Sequence, residues 1–379
     1  MENKKEINKN YKLLKIFSLC IVGILFTFLI ISLLSSLYLN STKTTNNYSF
    51  DKNYNDIEIL GDNFDVIIYP SITEQDNAKC VENKKMKFDI QVINNTIFVK
   101  LKDERNIIEK IFNFVETKIE LYLNKQTLNN LLIKNDTGDI TISKYFAFND
   151  VTIKSSTGDI DIKIDEANNI DIKSSTGDIE IEQTVVNEKI NIVSSTGDIT
   201  LENVKSEMLD IDISTGETNL DNVIMTSDFN IKSSTGDLNL LKLEAKNIDI
   251  NISTGDIEIN QAIAKEKINI VSSTGDIILE KVMCNSLAID INTGETNLDN
   301  VIVLSDFNMV GSTGDLEFNE FDASSIDIDI DTGDVSGTIL SSKIFIVKTS
   351  TGNIRIPETT TGGICKIETS TGDIKIKIK

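Results

Sequence analysis

The sequence predicts an all-β protein: a parallel β-solenoid of 19–20-residue coils preceded by one N-terminal transmembrane helix. Three observations lead there. The dipeptide Thr-Gly recurs at Thr137, Thr157, Thr176, Thr196, Thr215, Thr235, Thr254, Thr274, Thr293, Thr313, Thr332, Thr351 and Thr371, in steps that alternate between 20 and 19 residues with one exception. Ile, Val and Leu occupy every second position on both sides of most of these marks. A run without charge, Ile16 to Leu39, stands ahead of them all.

The strands come first. In Asn169 to Lys189, Ile170 and Ile172 alternate with polar residues, and so do Ile179 and Ile181, which is the period of two short strands. The apolar parity changes across Ser174 to Asp178, so the chain must bend there if both strands face one core. The expected corners are Gly158, Gly177, Gly197, Gly216, Gly236, Gly255, Gly275, Gly294, Gly314, Gly333, Gly352 and Gly372, where a backbone without Cβ can turn. A second turn, Gln183 to Lys189, leads into the next strand. One unit per coil stacks Ile on Ile at about 4.8 Å, and thirteen such coils make a rod on the order of 60 Å long. An antiparallel meander would need a covering layer that this helix-poor sequence does not supply. The array also carries a longer period: TGETNLDNV at Thr215 returns at Thr293, 78 residues on, so the array grew by copying four-unit blocks.

The ends differ from the middle. Asp56 to Leu132 has strand-like runs without the Thr-Gly mark, at Ile57 to Leu60, Phe64 to Tyr69, Met86 to Val92, Thr96 to Lys102 and Thr117 to Leu123. They are expected to form an N-terminal cap and irregular first coils, since a solenoid needs an atypical unit over its terminal core. Glu104 to Phe114 fits a short helix or a loop equally well. At the C-terminus, Lys375 to Lys379 alternates Lys with Ile, the pattern of a protected edge strand. The expected organisation is a cytoplasmic stub at 1–15, the transmembrane helix at 16–39, a polar tether at 40–55, the cap at 56–132 and the Thr-Gly-Asp array at 133–379.

The apolar run is long enough for a helix to cross a hydrocarbon core of roughly 30 Å. Lys4, Lys5, Lys9, Lys12 and Lys15 precede it while only Lys43 follows closely, which places the N-terminus in the cytoplasm and the remainder outside. A cleaved signal peptide is the competing reading, but its apolar core is usually shorter and followed by a small-residue cleavage site. Cys20 lacks the small preceding residue of a lipoprotein signal, having Leu19 before it. IPETTTGG at Ile356 resembles a sortase signal, yet Thr360 stands where Gly is needed and no apolar tail follows.

Composition narrows function further. A net charge of −22 repels nucleic-acid phosphates, so no nucleic-acid partner is expected. The absence of His removes the commonest metal and acid–base ligand. Cys20, Cys80, Cys284 and Cys365 show no metal spacing and read as isolated buried thiols, with a Cys80 disulfide to Cys284 or Cys365 left open. No cofactor and no catalytic residue is expected. The stacked carboxylates, with Asp159, Asp178, Asp198, Asp237, Asp256 and Asp276 among them, either cap their corners and face water or form a weak column for divalent cations. The G-G-x-G-x-D pattern of calcium-binding β-rolls is absent.

KIELYLNKQTLNNLLIKNDTGDITI at Lys118 to Ile142, preceded by FDVIIYP and followed by iterated SSTGDI, resembles the bacterial β-strand-repeat family of candidate adhesins, domain-of-unknown-function family 4097, over Asp56 to Lys379. The resemblance implies a right-handed parallel β-helix, membrane-tethered at the envelope of Gram-positive bacteria and sometimes near envelope-stress systems. It implies no catalytic residues.

The functional expectation is therefore a non-enzymatic, membrane-anchored cell-envelope protein that displays its solenoid for adhesion or binding of an envelope or surface ligand, protein or glycan. The alternative is a β-helix polysaccharide lyase or hydrolase acting on an envelope glycan. Such an enzyme should break the repeat with long loops rich in Arg and aromatics, whereas Arg355 is the one Arg in the array. Ser155 with Thr157, Ser174 with Thr176 and Ser194 with Thr196 raise a third idea, an ice-binding face, which Ile213, Ile252, Ile291 and Ile330 interrupt.

Overall fold

The computed structural model describes residues 15, 18, 21–31, 33, 34, 43–50, 53–112 and 116–379. The array folds as a parallel β-solenoid in which each residue lies over its counterpart one coil away. Ile153 pairs with Ile133 and Ile172, and the ladder continues through Ile192, Ile211, Ile231 and Ile250. These side chains are buried in one continuous core. β-branched side chains suit such stacks because their restricted rotamers lose little freedom on the pleated surface.

Each coil has three faces where the sequence suggested two strands. Between the Ile179–Glu182 and Ile190–Thr196 segments, Val185 and Val186 form a third short ladder over Glu166 and Ala167. The segment read as one turn therefore holds two corners with a strand between them. The first corner is the Thr-Gly mark. The second has no glycine: Gln183, Asn203, Asn222, Lys242, Gln261, Lys281, Asn300 and Glu320 adopt φ between +48° and +63° there. This left-handed region costs an L-residue roughly 1–2 kcal/mol unless it is Gly or Asn. Lys242→Asn is expected to raise stability by about 0.5–1 kcal/mol, read as a higher thermal midpoint than that of the parent chain. The third corner explains the alternation of 19 and 20. Between the paired residues Ala167–Val186 and Asn169–Lys189, one coil has a single residue, Asn168, and the next has two, Asn187 and Glu188, as a bulge.

Both ends of the stack depart from chain order. At the N-terminal end, β1 (Thr44–Ser49), β2 (Asp56–Gly61), β3 (Asp65–Pro70), β4 (Asn77–Glu82), β5 (Met86–Ile93), β6 (Thr96–Asp103), α1 (Ile107–Phe112) and β7 (Lys118–Leu123) precede β8 (Thr127–Thr137) and β9 (Ile140–Ile142). β1 lies within the stretch expected as a tether. The β2–β3 coil is sandwiched between β8–β9 on one side and the later β6–β7 coil on the other. Antiparallel additions close the end, with β5 on β6, β4 on β7 and β1 on β4. Buried carboxylates fasten this cap. Glu82 accepts from Tyr48 Oη at 2.9 Å and Phe88 N at 2.7 Å, and Asp76 accepts from Tyr54 Oη at 2.9 Å and Asn124 N at 2.6 Å. Burial, with Glu82 as neighbour, pushes the Tyr48 phenol up to about 12.

At the C-terminal end the last coil in sequence is not the last in space. Cys365–Thr369 pairs with Ile326–Ile330 below and Phe345–Thr349 above, so the coil from Gly363 onward is inserted beneath the coil of Lys343–Arg355. The Lys375–Lys379 tail, expected at an exposed edge, is covered only at its start and keeps a free edge from Ile376 on among the described residues. Ile374–Ile378 pairs along its whole length with Val335–Ile339, and Ile354–Arg355 covers its start. The physical reason is the long return at 356–362, which lets the chain double back. Lys343, buried where the chain steps out to the top coil, is held by Asp322 at 2.7 Å.

Of the apolar run Ile16–Leu39, residues 18, 21–31, 33 and 34 are described and helical; the rest lies outside the described residues. Among the described residues no helix is long and apolar enough to cross a membrane. The expected transmembrane helix therefore has no support from the described residues.

Candidate functional site

Two features organise the exposed chemistry, the carboxylate column and the open end of the core. In the column each Asp serves the neighbouring coil. Asp159 N donates to Asp139 Oδ1 at 3.0 Å, Asp178 N to Asp159 Oδ1 at 2.9 Å and Asp198 N to Asp178 Oδ1 at 2.8 Å. Asp256 N and Asp276 N bond in the same way to Asp237 and Asp256, both at 2.8 Å. The corner peptide turns its N–H out of the sheet ladder, and a short carboxylate one coil away can reach it. Glu217 and Glu295 receive no such bond from the next coil among the described residues; Glu217 Oε1 instead accepts from Asn239 Nδ2 at 2.6 Å.

The sequence-predicted column Asp159, Asp178, Asp198, Asp237, Asp256 and Asp276 is thus a ladder of single carboxylates engaged with backbone. Among the described residues no three His, Cys, Asp or Glu side chains are grouped to hold a metal ion. The Ser and Thr of the repeat part company: Ser155, Ser174 and Ser194 point into the core, while Thr157, Thr176 and Thr196 are exposed, so no flat face carries both. Cys80, Cys284 and Cys365 are buried free thiols. Burial pushes the latter two up to about 12.

The open end is the feature that sequence reasoning missed. In the top coil the inward-facing Ile354 is 44% exposed, whereas its counterparts Ile374 and Val335 are fully buried. Phe345 and Val347 are only half-buried over Cys365 and Ile367 for the same reason, that among the described residues no coil lies above them. On the outer face Ile344 and Ile346 stand exposed. Along the array each corner Gly N bonds to the Thr O of the coil above, as Gly333 does to Thr371 and Gly372 to Thr351; Gly352 has no such partner among the described residues. One signal was legible in retrospect. Asn353 replaces Asp in the top coil, which has no further coil to cap among the described residues, and its Nδ2 donates back to Asp373 Oδ1 at 3.1 Å.

Beside this end lies a cleft of about 420 Å³ lined by Asp315, Asp334, Asp373, Asn353, Arg355 and Lys375, among others. The last 37 residues reverse the charge of the chain. From Lys343 to Lys379 there are seven Lys and Arg against three Asp and Glu, a net of 7 − 3 = +4, within a protein of −22.

The family model for Toastrack DUF4097 matches residues 54–261 and again 245–379, which takes in the array and all of the cap but β1. The chain belongs to the Toastrack family. Comparison with curated proteins gives no match. Solved structures similar to this Toastrack chain include a candidate adhesin from Parabacteroides merdae, 13% identical, covering 79% of this chain and 97% of that one with a TM-score of 0.35. A candidate adhesin from Bacteroides fragilis is 14% identical, covering 89% and 99% with a TM-score of 0.29. A candidate lipid-binding protein from Parabacteroides distasonis is 14% identical, covering 89% and 98% with a TM-score of 0.26.

Proposed function

We propose that this Toastrack protein is a non-enzymatic, membrane-anchored element of the cell envelope, with its solenoid outside the membrane as a binding or adhesion module and with envelope stress as one setting for its use. The observation that carries the binding reading is the asymmetry of the rod, closed at one end by an antiparallel cap and open at the other, where apolar side chains meet a basic surface. Anchoring is supported by the apolar run. Its described side chains include Val22 at 61% and Leu29 at 65% exposure, apolar surface that lipid would cover. The Lys-rich flank before the run favours an internal N-terminus. A non-enzymatic role is supported by the regular spacing of 19 or 20 residues from Thr137 to Thr371, which adds no long loop rich in Arg and aromatics to the array.

Ser336→Cys on intact cells, treated with a membrane-impermeant thiol reagent, tests the reading. Ser336 is partly exposed on the array, while Cys80, Cys284 and Cys365 are buried and remain unlabelled in the folded chain. Labelling of the variant above the parent chain before lysis is expected. Protection until lysis would reverse the topology and remove the surface-binding role.

A further inference from the structure

We infer that the strand Lys343–Thr351, the free edge of the top coil, is a docking edge that takes an extended acidic–apolar segment of another protein as an added β-strand. The inference deepens the binding reading above and rests on it for the availability of a partner. Three observations converge on the edge. First, among the described residues the strand has a neighbour on one side only, Gly363–Thr371, so its other row of peptide groups is open to pairing. Second, it lacks the usual edge protection: it has no Pro, and of its two Lys, Lys343 is buried against Asp322. Phe345 and Val347 stay half-uncovered, and a strand with apolar residues at alternate positions would continue the core over them.

Third, the charge at this edge calls for acid. Lys348 on the strand and Arg355 just past the corner have no acidic partner among the described residues. The fold already contains the pairing that a partner would repeat. One layer down, Lys366 of the inserted coil sits against the acidic strand ending in IDIDIDT, with Lys366 Nζ 3.3 Å from Asp327 Oδ1. An incoming strand of that chemistry would set one carboxylate beside Lys348 and two Ile side chains over Phe345 and Val347. A second copy meeting edge to edge would bring two basic tips together, which the charge disfavours.

The probe is a fluorescent peptide with the sequence of residues 324–332, SSIDIDIDT, compared with its Lys-substituted counterpart SSIKIKIKT, against the full chain in detergent micelles. Anisotropy is expected to show saturable binding of the acidic peptide, with hydrogen-exchange protection gained at Ile344 to Lys348. Lys348→Glu, with an unchanged melting curve, is expected to weaken the acidic peptide by about fivefold and strengthen the basic one to a similar extent. Equal binding of both peptides, or binding without protection of the tip strand, overturns the inference. So does a peptide-free dimer that protects the same amides, which would assign the edge to a second copy. If the peptide fails while Ser336→Cys labels on cells, the docking edge is wrong and surface display stands.

Discussion

Gly255→Ala is expected to be among the most damaging single substitutions in the array, lowering stability by about 3 kcal/mol or more. Gly255 lies at φ +142°, outside the small left-handed region that Asn or Asp tolerates. A Cβ there would stand 2.2 Å from Gly236 O and 2.6 Å from its carbonyl carbon, both backbone atoms of the coil below. No rotamer relieves that overlap, so the two coils must part at the corner. Separation would also break the bond from Asp256 N to Asp237 Oδ1 and the bond from Gly236 N to Thr254 O. Because a solenoid is held by nearest-neighbour contacts, the damage should start as local opening between these coils. Thermal unfolding with hydrogen exchange at Ile252 to Ile257 reads both effects. The exposed neighbour Ser253→Ala serves as the control and should shift the midpoint little.

The glycine column was legible in the sequence because it states a backbone requirement that few other residues satisfy. The inward Ile ladders were legible for a related reason: a parallel stack buries the same parity in every coil, so one coil predicts the next. The third face was not legible. The ladder at Val185–Val186 is two residues long before a bulge, too short for a period of two to stand out, and the corner before it is held by Gln183 in place of a glycine, as Lys242 holds the matching corner of another coil. Its left-handed conformation is imposed by stacking, a tertiary effect that local propensity does not record. The Asp ladder was half legible. A carboxylate at each corner suggested capping, but the N–H it caps belongs to the next coil, which depends on the stack.

The order of the stack was hidden more deeply. Lys348–Ile356 and Glu368–Ile376 carry closely similar patterns, KTSTGNIRI and ETSTGDIKI, so either coil could lie on the one that ends at Thr332 as far as alternation goes. Two local signs favour the observed order. Lys366 finds Asp327, where Ile346 would otherwise stand, and Asp373 N finds Asp334 Oδ1 at 2.7 Å. The one break in the alternation of 20 and 19, between Thr332 and Thr351, falls at the exchange.

Chemical cross-linking should therefore report an order that the sequence alone would assign wrongly. Ser336→Cys with Lys375→Cys is expected to form an intramolecular disulfide in most molecules under mild oxidation, and Ser336→Cys with Arg355→Cys is expected to form almost none. Ser336 pairs directly with Lys375, and Lys375 with Arg355, so the first pair sits one strand spacing apart, about 4.8 Å, and the second about 9.6 Å. Only the first spacing falls within the Cα separation that a disulfide tolerates, roughly 4.4–6.8 Å. Stacking in chain order would reverse the result, because the Arg355 coil would then lie directly on Ser336. The same geometry makes the linked pair informative about the open end. Tying Lys375 to Ser336 fixes the inserted coil to the array, so the Lys343–Thr351 strand above keeps its platform and its exchange protection at higher temperature. Under the opposite order that strand would lie between the two linked layers and the bond could not close without expelling it. Mass analysis of the oxidised chains, with and without reductant, separates the two outcomes.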